Sequence, residues 1–140
     1  MLRGIDSLLT PDLLHSLASM GHGDRIAIVD ANFPGTSCAD RVHHLAGIDA
    51  GAVLRAVLSV LPLDDFIPDA AVTMQVVGNA DTVPEAVAGF SQILHAHDGP
   101  APVAIERFAF YALAKQAYAI VQTGEARLYG NIILSKGVIR

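Results

Sequence analysis

The sequence has few charged residues, a single cysteine and no long apolar run. Its longest stretch without a formal charge is residues 86–97, which is 12 residues long, whereas a membrane-spanning helix needs about 20 predominantly apolar residues. We therefore expect no membrane span. Because Cys38 is the only cysteine, no disulfide can form within the chain, and residues 1–6 lack the apolar segment of a secretory signal. Both absences favour a reducing, cytoplasmic setting.

The scarcity of charge also bears on association. Charged residues make up 16% of the chain and hydrophobic residues 52%, whereas ordinary globular domains carry about 25% charged residues. Such a composition excludes intrinsic disorder. Because monomers rarely expose large apolar patches, we expect a homo-oligomer that buries the apolar excess between copies. The 9 basic residues are scattered and outnumbered by 14 acidic ones, for a net charge of −5. Nucleic-acid binding is therefore not expected.

Short apolar segments and helix-start signals alternate along the 140 residues. The continuous apolar run at residues 26–29 predicts a strand buried on both faces of a mainly parallel sheet, and Thr10 followed by Pro11 predicts the start of an amphipathic helix. Further helices are predicted from Asp49, Thr82 and Phe108, and further strands at residues 71–77, 101–105, 118–123 and 131–135. Residues 31–40 are predicted to form a loop. The pattern indicates a single compact α/β domain spanning residues 1–140, with helices flanking the sheet.

His22 lies between Gly21 and Gly23, after the first predicted helix and before the buried strand. Glycine lets the backbone turn sharply and lets a ligand approach closely, and an imidazole can donate or accept a proton near neutral pH. The local sequence alone favours the simpler interpretation, an exposed histidine in a turn. A catalytic histidine is the alternative.

Asp30 follows the buried strand directly, and in open α/β sheets ligands bind beyond the carboxyl ends of the strands. A carboxylate at that place can accept hydrogen bonds from the hydroxyl groups of a sugar or polyol. It can equally hold the following loop through an Asx turn, and Asn32 is ambiguous in the same way. The pattern thus marks a candidate binding residue without deciding its role.

Two further segments combine polar and aromatic side chains. Arg107 offers five hydrogen-bond donors, and Phe108, Phe110 or Tyr111 could give a small ligand an apolar surface. Helical spacing equally predicts core aromatics and an ordinary surface arginine. Residues 129–131 (Tyr-Gly-Asn) can donate to and accept from several hydroxyl groups, and a hairpin turn at the central glycine is a compatible alternative.

No other segment carries a strong chemical signature. His95 and His97 stand two residues apart, and side chains at that spacing diverge on a helix, so no metal site is expected. His43 and His44 are interpreted as surface or interface residues. The sequence contains no G-x-G-x-x-G, P-loop or G-x-S-x-G motif, so it predicts neither nucleotide binding nor a serine nucleophile. We therefore expect no cofactor.

Taken in order, five segments resemble one known family. They are residues 20–24 (Met-Gly-His-Gly-Asp), 30–34 (Asp-Ala-Asn-Phe-Pro), 107–111 with an arginine and a Phe-Tyr pair, 123–125 (Thr-Gly-Glu) and 129–138 with Tyr-Gly-Asn and Lys-Gly-Val. Their order and spacing are similar to those of the L-fucose mutarotase and D-ribose pyranase family over nearly the whole chain. The resemblance implies a small α/β fold assembled into a ring-based decamer. It also implies an enzyme that interconverts the anomers of a free monosaccharide without a cofactor.

The resemblance assigns roles to particular residues. It implies that His22 is the catalytic proton donor, and that the substrate-binding residues are Asp30, Arg107, Tyr129, Gly130 and Asn131. The arginine and the Phe-Tyr pair resemble the fucose branch, because the ribose branch tends to have a histidine near that arginine and an alanine at the position of Gly130. L-fucose is thus the expected sugar. A D-ribose pyranase and a non-catalytic monosaccharide-binding module are the alternatives.

These roles suit the chemistry of anomer exchange. Opening a hemiacetal ring requires a proton delivered to the ring oxygen and a proton removed from the anomeric hydroxyl group. We expect His22 to supply the first, and a water molecule or Asp30 to accept the second. Residues 40–51 and 83–102 show no motif that aligns with the family, so they contribute nothing to these assignments.

Overall fold

A six-stranded sheet lies at the centre of the structure, a computed structural model that describes residues 1–140. Five helices surround it, and none of them combines the length and apolarity needed to cross a membrane. In chain order the elements are α1 Pro11–Ser19, β1 Arg25–Val29, α2 Gly35–Cys38, β2 Val42–Leu45, α3 Ala50–Leu58, β3 Ala71–Met74, α4 Glu85–Ala96, β4 Val103–Ile105, α5 Arg107–Lys115, β5 Ala119–Thr123 and β6 Ile132–Ser135. The predicted α/β class is confirmed.

The strands are arranged in the order β2-β5-β1-β6-β3-β4. Every neighbouring pair is parallel except the two pairs that involve β6, which runs antiparallel between β1 and β3. The sheet is therefore mainly parallel, as the buried run of β1 predicts. As a result, the carboxyl ends of β1, β3 and β4 lie at one edge of the sheet, together with the amino end of β6.

Alternate residues of β1 point into different cores. Ile26 and Ile28 belong to a cluster that packs the sheet against α1, α3 and α4, whereas Ala27 and Val29 belong to a second cluster beneath α5. All four are completely buried. An apolar run of this kind has no polar face to turn to solvent, so it needs a helix layer on each side. The prediction of a strand buried on both faces is confirmed.

Capping side chains start α1 and α3 where the sequence predicts, whereas α4, predicted from Thr82, begins at Glu85 without a side-chain cap. The Thr10 hydroxyl oxygen accepts a hydrogen bond from the N–H of Leu13 at 3.3 Å, and the Asp49 carboxylate accepts one from the N–H of Ala52 at 2.8 Å. The carboxylate of Glu106 caps α5 in the same way. Such bonds satisfy N–H groups that a helix leaves unpaired in its first turn.

Two elements differ from the expected pattern. The predicted loop at residues 31–40 contains the single-turn helix α2, and β2 extends the sheet at its edge by pairing with β5. β2 has the sequence Val-His-His-Leu and is only partly buried, so it lacks the apolar run that identifies the central strands. Its pairing with β5, not its own composition, makes it a strand.

The chain between β5 and β6 does not form a hairpin. The two strands do not pair with each other but flank β1 on opposite sides, so the hairpin considered at Gly130 is wrong. Residues 124–131, here called the crossing segment, instead pass over the carboxyl end of β1. This path brings the polar residues 129–131 to the place where β1 ends.

Candidate active site

A pocket opens at the edge of the sheet where β1, β3 and β4 end and β6 begins. Its volume is about 210 Å³, and it is lined by Asp30, Asn32, Phe33, Met74, Val77, Arg107, Tyr111, Leu128, Tyr129 and Asn131. Four of the five predicted binding residues are among them, and the fifth, Gly130, lies in the backbone between two of them. The structure thus brings the predicted binding residues together.

Asp30 is held by a reciprocal pair of hydrogen bonds with Asn131. The Asp30 backbone N–H donates to Asn131 Oδ1 at 2.8 Å, and Asn131 Nδ2 donates to Asp30 Oδ2 at 3.1 Å. The other carboxylate oxygen accepts the N–H of Asn32 at 3.0 Å, which is the Asx turn considered as an alternative. Because the carboxylate also lines the pocket, the turn and a role in ligand binding are compatible.

The environment of Asp30 suits proton exchange. Burial raises the pKa of its carboxyl group above the ordinary value of 3.8, because the charged form loses contact with water. Hydrogen bonds from Asn32, Asn131 and neighbouring backbone groups oppose this shift without cancelling it. A carboxylate whose pKa is raised is a stronger base, and therefore a better proton acceptor near neutral pH.

Buried contacts hold the crossing segment over Asp30. The backbone carbonyl of Glu125 accepts the N–H of Ala31 at 2.9 Å, and the Glu125 carboxylate accepts two hydrogen bonds from the Arg127 side chain. These bonds lower the pKa of Glu125 to about 2. Gly130 fits tightly here, since a Cβ atom at that position would lie 2.6 Å from Glu125 Cγ. A larger residue would therefore force the segment to shift.

Tyr129 connects the crossing segment to the loop that follows β3. Its phenol oxygen accepts the N–H of Val77 at 3.1 Å, and its backbone carbonyl accepts the N–H of Asn131 at 2.8 Å. The φ angle of Tyr129 is 60°, a left-handed conformation that is uncommon for a residue other than glycine. Such backbone strain clusters at functional sites, and here it turns the chain from the rim of the pocket towards Asp30.

Arg107 reaches the pocket from the side of β4, at the start of α5. Its guanidinium carbon lies 4.6 Å from the centre of the Phe108 ring, and its Nε–H is buried without a hydrogen-bond partner in the chain. A buried unpaired donor costs about 1–3 kcal/mol. An oxygen atom of a ligand in the pocket would satisfy that donor, so the geometry favours the binding role over that of a surface arginine.

The aromatic residues near Arg107 divide between core and surface. Phe110 is completely buried and packs edge-on against Phe33, with ring centres 5.9 Å apart, which confirms the core interpretation. Tyr111 packs against Phe33 at 5.4 Å and lines the pocket. Phe108 is 64% exposed, so the core interpretation is wrong for that residue.

His22 does not join the other predicted site residues. It precedes β1, whereas Asp30 follows it, and the five residue steps from Arg25 to Asp30 span roughly 17 Å of extended chain. The imidazole Nε2 lies 3.3 Å from Oδ1 of Asp64, and the ring packs against Phe66 with centres 5.3 Å apart. Within one chain, His22 and Asp30 therefore lie at opposite ends of β1, and so on opposite sides of the sheet along the strand direction.

The loop that carries His22 is fixed to the end of β6. The ammonium group of Lys136 donates hydrogen bonds to the carbonyl oxygens of Leu17 and Met20, at 2.7 and 2.6 Å. The carbonyl of Lys136 accepts the N–H of Gly23 at 2.8 Å, and Gly23 has a φ of 86°, which favours glycine. His22 is thus presented at the surface by a loop held on both sides.

Asp64 is a candidate functional residue that the sequence does not reveal. It is buried, and the same Oδ1 atom that faces His22 accepts the N–H of Phe66 at 3.0 Å. A buried carboxylate beside an imidazole can fix the orientation of the ring, as in histidine acid–base catalysis. Asp64 stands next to Asp65 in a segment without a motif, and only the fold distinguishes the buried residue from its neighbour.

Other histidines make structural contacts. His43 Nε2 lies 2.8 Å from Ser16 Oγ, which joins β2 to α1, and burial lowers the pKa of His43. His97 Nδ1 lies 2.9 Å from the carbonyl oxygen of Ile93 at the end of α4. No three histidine, cysteine, aspartate or glutamate side chains are grouped in a way that could hold a metal ion.

Known proteins are similar to this chain over nearly its whole length. Residues 3–139 match the model of the RbsD / FucU transport protein family. The chain belongs to this family. Human fucose mutarotase is 41% identical to it over 145 residues, which cover 99% of this chain and 94% of that relative. The family resemblance of the five sequence segments is confirmed, and so is homology to fucose mutarotases.

Two solved structures relate the chain to the branches of the RbsD / FucU family. The fucose mutarotase from Streptococcus pneumoniae in complex with L-fucose has a TM-score of 0.93 and 38% identity, covering 99% of this chain and 100% of that chain. RbsD from Bacillus subtilis, complexed with D-ribose, has a TM-score of 0.76 and 20% identity, covering 100% of both chains. The second likeness shows a shared fold alone. The chain is thus more similar to the fucose mutarotase, as Arg107 and its Phe-Tyr pair predict.

Proposed function

We propose that this protein is an L-fucose mutarotase, an isomerase that interconverts the α and β anomers of the free sugar by opening and reclosing its ring. The observation that carries the proposal is the pocket at the end of β1. It combines a buried carboxyl group, the amide that pairs with it and an unpaired guanidinium N–H. The 41% identity to human fucose mutarotase supports the choice of sugar.

The side chains of the pocket fit a ligand that carries several hydroxyl groups. Asp30 accepts hydrogen bonds, Arg107 donates them, and the amide of Asn131 does both. They approach the cavity from different elements of the fold, namely the end of β1, the start of α5 and the start of β6, so together they would fix the orientation of a pyranose ring. The rings of Phe33 and Tyr111 line the same cavity and offer apolar surface to the C–H groups of the sugar.

Ring opening needs two proton transfers, and the two groups that we propose for them lie far apart within one chain. Asp30 would accept the proton of the anomeric hydroxyl group. His22 is the proposed donor to the ring oxygen, with Asp64 orienting its imidazole, but both lie at the opposite edge of the sheet. A second copy of the chain must therefore bring its His22 to this pocket, which agrees with the homo-oligomer expected from the composition.

Exposed aromatic residues mark the two surfaces that would meet. Phe66, which packs against His22, is 63% exposed, and Phe108 beside Arg107 is exposed to the same degree. Because these are different surfaces of the chain, their contact is head-to-tail, and such contacts close into rings when the rotation between copies permits. We therefore propose that neighbouring copies in a ring share each active site, with the ring-based decamer of the family resemblance as the assembly.

Saturation-transfer NMR at equilibrium tests the activity. The measurement follows exchange between the α and β anomeric signals of L-fucose and of D-ribose, with and without protein. We expect protein-dependent exchange of L-fucose, reduced about 10²- to 10⁴-fold in His22→Ala while the sugar still binds. Exchange of D-ribose alone would instead identify a D-ribose pyranase, and binding without exchange a monosaccharide-binding module.

Mixed assemblies test whether the site is shared. When His22→Ala and Asp30→Asn chains are co-expressed in equal amounts, random assembly leaves about one quarter of the shared sites with both groups intact. We expect activity to return to that fraction of the wild-type value. If both groups served a site within one chain, no intact site could form, and the mixture would be no more active than the separate variants.

A further inference from the structure

We infer that the pocket selects 6-deoxyhexoses through an apolar wall, formed by Met74, Val77 and Leu128, that contacts the methyl group on C5 of the sugar. The inference rests on the proposed function for the location of the sugar. It goes further by naming the chemical group that is recognised and the side chains that recognise it.

The apolar wall belongs to the same cavity as Asp30 and Arg107. Met74 is buried where β3 ends, whereas Val77 is 57% exposed and Leu128 is 70% exposed. None of these three side chains can pair with a hydroxyl group as a carboxylate or an amide does. An aliphatic surface of this kind gains from a ligand only where the part of the ligand that meets it is itself apolar.

The apolar wall is held at a fixed distance from the polar side of the pocket. The N–H of Val77 donates to the phenol oxygen of Tyr129 at 3.1 Å, and Leu128 directly precedes Tyr129 in the chain. The Tyr129 carbonyl accepts the N–H of Asn131 at 2.8 Å, and Asn131 is paired with Asp30. A sugar bound through its hydroxyl groups would therefore always present the same ring carbon to the wall.

Three sugars isolate the contribution of the wall. L-fucose, D-arabinose and L-galactose have the same configuration at the three hydroxyl-bearing carbons from C2 to C4 of the pyranose ring, and they differ in the substituent on C5. That substituent is a methyl group in L-fucose, a hydrogen atom in D-arabinose and a hydroxymethyl group in L-galactose. The polar side chains thus meet the same hydroxyl groups in all three, and only the wall meets a different group.

Dissociation constants for the three sugars, measured by NMR titration, test the inference without requiring catalysis. A methyl group that fits an apolar pocket improves discrimination between two ligands by about 10- to 200-fold. We expect the low end of this range because Val77 and Leu128 are partly exposed. Wild-type protein should bind L-fucose about 10-fold more tightly than D-arabinose. It should also discriminate against L-galactose, because its extra hydroxyl group would be placed against the wall without a partner.

Substitutions that make the wall polar should remove this preference. Leu128→Gln offers an amide to the hydroxymethyl group, and Val77→Thr replaces a methyl group by a hydroxyl group with little change of shape. Val83→Thr is the matched control, because Val83 is 65% exposed and lies outside the cavity. We expect L-galactose to bind as tightly as L-fucose in the first two variants, and the wild-type preference to persist in the control.

The outcomes separate this inference from the proposed function. Selective binding of L-fucose without accelerated anomer exchange would overturn the proposed function and support the wall. Equal binding and equal exchange of all three sugars would support the mutarotase and overturn the wall. The inference about the wall is also overturned if the two variants weaken the binding of all three sugars by the same factor, or if wild-type protein binds none of the three sugars.

Discussion

Replacing Gly130 by alanine should disturb the site without removing any polar group. The added Cβ atom would lie 2.6 Å from Glu125 Cγ and 3.3 Å from the carbonyl oxygen of Arg127. Gly130 is not among the residues with positive φ, so the cost is steric and not conformational. Overpacking of a tightly packed position typically costs about 1–3 kcal/mol. We expect the free energy of unfolding to fall by this amount, and L-fucose binding to weaken because Tyr129 and Asn131 shift with the segment.

Urea denaturation at a fixed protein concentration measures the change in unfolding free energy, and NMR titration measures the affinity for L-fucose. Gly89→Ala in α4 is the matched control, because a Cβ atom at Gly89 would meet no atom within 4 Å and alanine should stabilise a helix by about 0.5–1 kcal/mol. Adding Glu125→Ala to Gly130→Ala removes the Cγ atom and should show coupling between the two changes. The reasoning is refuted if Gly130→Ala stays within about 0.5 kcal/mol of wild type and binds L-fucose equally well.

Three further predictions concern acidic residues. In wild-type protein the L-fucose exchange rate should fall on acidification at a pH above the usual range of aspartate pKa values, because burial raises the pKa of Asp30. Asp30→Asn should abolish this fall. Bonds from Arg127 lower the pKa of Glu125 from 4.5 to about 2, so its stabilisation is complete above pH 4.5 and is lost as pH falls towards 2. Acid unfolding followed by circular dichroism should show a shallower stability loss over that range in Glu125→Gln than in wild type. Asp64→Asn should lower the maximal exchange rate at least about 10-fold without raising KM, as a positioning residue for His22 does, whereas a raised KM with an unchanged rate would contradict that role.

Local patterns predict most of the fold because most elements are determined by residues close together in the chain. The apolar run of β1 and the capping residues Thr10 and Asp49 predict where their elements begin to within about one residue. β2 is missed because it owes its strand state to pairing with β5, which lies far along the chain. The hairpin at Gly130 is wrong for the same reason, since no local signal shows that β1 separates β5 from β6.

The sequence predicts those residues of the candidate site that directly follow a recognisable strand or belong to a family motif. Asp30 follows a recognisable buried strand, and residues 129–131 carry the Tyr-Gly-Asn motif. Asp64 and Leu128 neither follow a predicted strand nor belong to a motif. The burial of Asp64 beside His22 and the exposure of Leu128 at the pocket arise from how distant segments pack. The sequence does not distinguish a buried aspartate from an exposed one in a loop, or a leucine that lines a pocket from one that does not.

The reversed direction of β6 explains how the two halves of the proposed reaction come to lie apart. Because β6 runs antiparallel to β1, its amino end places Asn131 beside Asp30, whereas a parallel strand would put that amide at the opposite edge. The carboxyl end of the same strand leads into Lys136, which holds the loop of His22 at that opposite edge. One strand thus supports the sugar pocket at one end and the proposed proton donor at the other. In the proposed reaction a neighbouring copy would unite them, so the self-association expected from the apolar composition and the proposed proton transfer lead to the same assembly.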